Sequence, residues 1–172
     1  MRTLAVLVFL CLSFPAAFAA TLDDSLRQGE EALARRDVVA AMTAFTAALE
    51  ADPRTVKAAY ERGRLLLLIG EPGKAVADFT TAILGDPAFG RAYVGRAEAK
   101  LALKDGKSAI ADFDKAIAVA PGDFEVHVSR AAFRLKIGNL GGARADLEAA
   151  RAVADPATAA RLGEMLARLG GE

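Results

Sequence analysis

The 172-residue chain has one cysteine, one histidine, six prolines and no excess of either charge, and each shortage closes off a class of function. Cys11 lies within the first twenty residues, MRTLAVLVFLCLSFPAAFAA, which read as a removable leader. The remaining chain then has no thiol for a disulfide, a nucleophile or a thiolate metal site. His127 has no second histidine or cysteine with which to build a metal set or a triad, and a packed ring is the expected role. Lys plus Arg and Asp plus Glu number 22 each, so no global field draws the chain toward nucleic acid or an anionic membrane. With so few prolines and a background of Ala, Leu, Glu, Lys and Arg, the chain reads as all-helical.

The leader itself is informative. It carries Arg2, an apolar run from Leu4 to Leu12, then Ser13, Pro15 and small residues, which is the layout of a secretory signal peptide. Ala17-Phe18-Ala19 offers small residues at both positions a signal peptidase reads, placing the cut after Ala19. The unbroken run is well short of the roughly 20 residues a spanning helix needs, so no stable membrane span is expected after cleavage. Leu10 precedes Cys11, and the small residue that lipidation would require there is missing. The expected location is periplasmic or secreted.

What is present is a period. Pro53, Pro87 and Pro121 are 34 residues apart, and Pro156 follows 35 later. Phe45, Phe79 and Phe113 keep the same step, with Leu147 in the fourth place. Ala41, Ala75, Ala109 and Ala143 form another column; Ala48, Ala82, Ala116 and Ala150 form a third; Gly29, Gly63, Ala97 and Ala131 form a fourth. Independent columns on one step are the signature of a repeat array.

These columns resemble the tetratricopeptide repeat, a 34-residue pair of antiparallel helices with small residues at its eighth, twentieth and twenty-seventh places, Phe at the twenty-fourth and Pro at the thirty-second. The resemblance implies a right-handed, all-α solenoid of four helix-turn-helix repeats, residues 22–55, 56–89, 90–123 and 124–157, followed by a capping helix and tail at 158–172. Small residues at those places let backbones approach, the Phe fills the space between helix pairs, and stability comes from stacking. Gly70 and Gly138 stand where a first helix ends and suit a left-handed cap. Leu162, Met165, Leu166 and Leu169 form an i, i+3, i+4, i+7 stripe for the capping helix behind Asp155 and Pro156.

Two further columns pair up. Arg62, Arg96 and Arg130 occupy the seventh place and Asp78, Asp112 and Asp146 the twenty-third, while in the first repeat both are lost together to Gln28 and Ala44. Joint presence and loss point to an Arg–Asp bridge within each repeat, in preference to an anion-binding ladder of arginines.

Catalytic machinery is hard to find. Gly85 to Arg91, GDPAFGR, has two glycines but lacks the Lys and Ser or Thr of a phosphate loop, and it reads as a turn. No nucleophile elbow, dinucleotide fingerprint or zinc-helix motif occurs, so no catalytic residue, metal or cofactor is assigned. The resemblance instead implies a concave groove lined by the second, fifth, sixth, ninth, twelfth and thirteenth places of each first helix. There stand Lys57, Tyr60, Glu61 and Arg64; Arg91, Val94, Gly95 and Glu98; and Glu125, Val128 and Ser129. Lys57 and Glu61 are spaced to neutralise each other. Family members that grip an acidic chaperone tail use a clamp containing two Asn residues; these are absent here, with Glu30 and Glu61 near their places. The reading is a non-enzymatic adaptor or assembly factor of the cell envelope that binds a protein or peptide segment. The alternatives are a self-associating structural module, and an accessory subunit holding a small anion through Lys57, Arg64 and Arg91.

Overall fold

A computed structural model describes residues 21–169, and the leader with its cleavage site lies outside them. Within the described residues there are nine helices and no strand: α1 (residues 21–34), α2 (Val38–Ala51), α3 (Val56–Leu68), α4 (Pro72–Gly85), α5 (Gly90–Ala102), α6 (Gly106–Val119), α7 (Phe124–Lys136), α8 (Leu140–Val153) and α9 (Pro156–Leu169). They form an all-α solenoid of four helix pairs and a terminal helix.

The turn inside each pair is built the same way four times. Gly70 and Gly138 adopt φ of 79° and 77°, as their sequence positions suggest. Arg36 and Lys104, at the equivalent places, take the same left-handed conformation with φ of 58° and 65°. The next residue starts the second helix: Asp37, Asp105 and Asn139 each accept a hydrogen bond from a backbone N–H of the first turn. In the second unit Glu71 makes no such bond, and Pro72 opens α4 instead.

The period then becomes packing. Phe45, Phe79, Phe113 and Leu147 are fully buried, as are the alanines at the twentieth and twenty-seventh places. Phe79 shows why small residues face it: an added Cβ on Gly63 would stand 3.0 Å from its ring, and one on Gly95, in the next unit, only 2.5 Å. Neighbouring first helices touch directly, α3 on α5 and α5 on α7, whereas no comparable packing joins α4 to α6 or α6 to α8. A stack drawn together along its first helices is concave on that side.

The last unit is closed by α9, whose Leu162, Leu166 and Leu169 cover Ala131, Leu147 and Ala150. Met165 does not share that role and is 44% exposed, because it lies at the edge of the buried arc. Asp155 caps the helix by accepting from the backbone N–H groups of Ala157 and Thr158.

Candidate functional site

The concave side of α3, α5 and α7 holds a cleft of about 160 Å³ lined by Tyr60, Arg64, Leu67, Phe79, Arg91, Val94, Gly95, Glu98, Glu125, Val126 and Ser129. Of the residues expected in the groove, Tyr60, Arg64, Arg91, Val94, Glu98 and Glu125 are brought together there, with Gly95 and Ser129. Lys57 and Glu61 stand outside the cleft, and Val128 turns partly into the packing around Leu147.

The floor is aromatic. Tyr60 packs against Phe89 and Phe79 with ring centroids 4.7 and 5.9 Å away. Phe79 is a fully buried core residue that lies beneath the cleft and is closely covered by Gly95, on which an added Cβ would stand 2.5 Å from the ring. Val94 is 8% exposed and contributes an edge rather than a face. Arg64 lies with its guanidinium carbon 5.8 Å from the Tyr60 ring centroid, a cation–π contact. Burial pushes the Tyr60 phenol up from its ordinary pKa, with Arg64 opposing the shift.

The cations of the groove are committed to partners within the protein. Lys57 pairs with Glu30 of the preceding unit. It does not pair with Glu61, as the i, i+4 spacing suggested; Glu61 bonds Arg64 at 3.0 Å instead. The stacking of units brings Glu30 across to Lys57, a proximity that spacing within one helix does not register. Arg91 reaches Asp123 at 2.7 Å and Glu125 at 3.0 Å, and the bond to Asp123 is the main cause raising its pKa. Glu98 differs: among the described residues it alone of the cleft's charged groups has no ion-pair partner. Although its side chain is exposed, the walls around it desolvate the carboxylate and raise its pKa, with Arg64 acting in the opposite direction.

A tetratricopeptide-repeat family model matches residues 26–83 and 69–124, which together span more than half of the chain. The chain belongs to the tetratricopeptide-repeat family. Among solved structures it is similar to TTC0263, a thermophilic tetratricopeptide protein of Thermus thermophilus, at 26% identity and a TM-score of 0.73, over 86% of this chain and 80% of that one. It is also similar to MamA from Desulfovibrio magneticus at 20% identity and a TM-score of 0.66, over 77% of this chain and 75% of that one. A third is the first tetratricopeptide domain of Spaghetti (RPAP3) bound to the HSP90 peptide SRMEEVD, at 20% identity and a TM-score of 0.58, over 62% of this chain and 85% of that one. A comparison with curated protein sequences finds no match.

On the other side of the tetratricopeptide first helices, the Arg and Asp columns meet as expected. Arg62 grips Asp78 through two bonds of 2.7 and 2.8 Å, Arg96 grips Asp112 at 2.9 and 2.7 Å, and Arg130 grips Asp146 with bonds down to 2.6 Å. Two features of this ladder escaped the repeat columns. Each Arg also donates to the preceding unit, to Thr46, Thr80 and Asp114 respectively, so the bridge ties units as well as helices. Lys100 and Arg134, at the eleventh place where the family carries an aromatic, add second cations to Asp112 and Asp146 at 2.7 and 2.8 Å. A hollow of about 440 Å³ opens beside the first rung, but its charged lining is the closed pair of Arg62 and Asp78, with Glu71 and Lys74 also bridged to each other. His127 is a buried ring whose Nε2 bonds the Pro121 carbonyl at 2.9 Å, as the Tyr93 hydroxyl bonds that of Pro87 one unit earlier. The other nitrogen, Nδ1, is buried without a partner.

Proposed function

We propose that this chain is a non-enzymatic adaptor or assembly factor of the cell envelope that holds a segment of another protein in its concave groove. The cleft between α3, α5 and α7 carries this reading: it is the place where an aromatic floor, an unpaired carboxylate and open sides coincide. Its size supports a segment over a free small molecule, since about 160 Å³ accepts one side chain and falls below the roughly 300–1,000 Å³ of ordinary ligand pockets. The similar RPAP3 domain, bound to an HSP90 peptide, gives the reading a precedent in the fold. Placement in the envelope rests on the leader, and the absence of catalysis on the missing nucleophile and metal sets. A small anion held by Lys57, Arg64 and Arg91 is disfavoured because each of the three is already bridged to a carboxylate.

The test is a comparison of proteins recovered from envelope extracts by the wild type and by Tyr60→Ala with Arg64→Ala. Partners lost from the variant, with melting temperature retained, support the groove. Identical sets of partners would remove it, and an empty wild-type set would favour the self-associating module.

A further inference from the structure

The charges around the cleft do not cancel, and the sign of the remainder bears on what the cleft selects. Lys57 is closed on Glu30 and Arg64 on Glu61. Arg91 stands between two carboxylates, Asp123 and Glu125, so one negative charge remains after it is neutralised. Glu98 adds a second, and no cation among the described residues bridges it. The raised pKa of Glu98 is what desolvation does to a carboxylate that Arg64 attracts from nearby but does not bridge. Beside it the floor is made of Tyr60 and the edge of Val94, with the buried Phe79 ring packed beneath Tyr60.

We infer, building on the groove reading above, that the cleft selects a segment bearing a Lys or Arg next to an apolar side chain: the apolar group lies on Tyr60 and the cation meets Glu98. An acidic segment would need to pull Arg64 and Arg91 from their present partners and would meet Glu98 and Glu125 as like charges. A cationic segment displaces nothing and relieves the excess. The segment selected here is thus opposite in charge to the acidic peptide SRMEEVD that the similar domain is bound to.

The test is selection of random heptapeptides displayed on phage against the purified protein, with sequencing before and after selection. Binders enriched severalfold in Lys and Arg over Asp and Glu are expected. For one such peptide made synthetically, Glu98→Gln weakens binding about fivefold to tenfold, and Tyr60→Ala weakens it at least as much. Enrichment of acidic peptides that still depend on Tyr60 would overturn the charge preference while leaving the groove in place. Cationic binders indifferent to Tyr60→Ala would overturn the groove reading itself, and binders indifferent to Glu98→Gln would overturn the role of Glu98. A library with no enrichment would overturn both. Thermal melting shows that each variant still folds at the assay temperature: Glu98→Gln leaves the melting temperature unchanged, since Glu98 bridges to no side chain among the described residues, whereas Tyr60→Ala lowers it, since Tyr60 packs on Phe79 and Phe89.

Discussion

Asp112 accepts from Arg96 and Lys100 at once and is 5% exposed, so removing its carboxylate strands two cations in a partly buried place. Asp112→Ala should lower stability by roughly 3 kcal/mol, read from urea unfolding. Replacing Arg96 and Lys100 by Leu in the same chain should restore much of that loss, because the stranded charges and not the lost bridge carry the cost. At Lys104 the effect has the opposite sign. A non-glycine side chain held at φ 65° is strained, so Lys104→Gly should raise stability by up to about 1 kcal/mol after the extra freedom of Gly in the unfolded chain is counted, read as a higher urea midpoint. A lower midpoint would show that Lys104 makes compensating contacts. The sequence advertised this backbone conformation only at Gly70 and Gly138. At Arg36 and Lys104 the same bend is hidden under charged residues, and only the shared turn geometry enforces it.

For the helices, the sequence was most legible where one residue type answers one spatial need. The buried Phe column and the alanines of zero exposure stand where the 34-residue step puts them. Ala82 of α4 is such a point, buried with no exposed surface. Ala82→Leu should overpack that point and lower stability by about 1–3 kcal/mol, seen as a reduced melting temperature. An unchanged melting temperature would contradict the register of the repeats. Legibility failed where a helix edge decides the outcome. Met165 fits the i+3 spacing of the capping stripe, yet it lies past the rim of the surface that α9 covers. Val128 was expected in the groove and sits instead beside the Leu147 cluster.

The whole molecule sets what no single helix can. Which carboxylate answers each groove cation depends on how far one unit is rotated on the next, and this brought Glu30 to Lys57 and Glu125 to Arg91 across repeat boundaries. Position along a helix put Tyr60, Arg64, Arg91, Val94, Glu98 and Glu125 on one cleft but also pointed to Lys57 and Glu61, which stand outside it, and their charge balance emerged only from the stack. The same stacking lays the buried Phe79 ring of one unit beneath Gly95 of the following one, under the cleft. The central claim, that a partner segment lies in this concavity, is tested most directly by site-specific photo-crosslinking in living cells. A benzophenone side chain at Arg64, on the cleft, should give a covalent adduct with another protein. The same group at Leu84, 78% exposed on α4 and outside the cleft, should give none. Adducts at Leu84 without adducts at Arg64 would contradict the account.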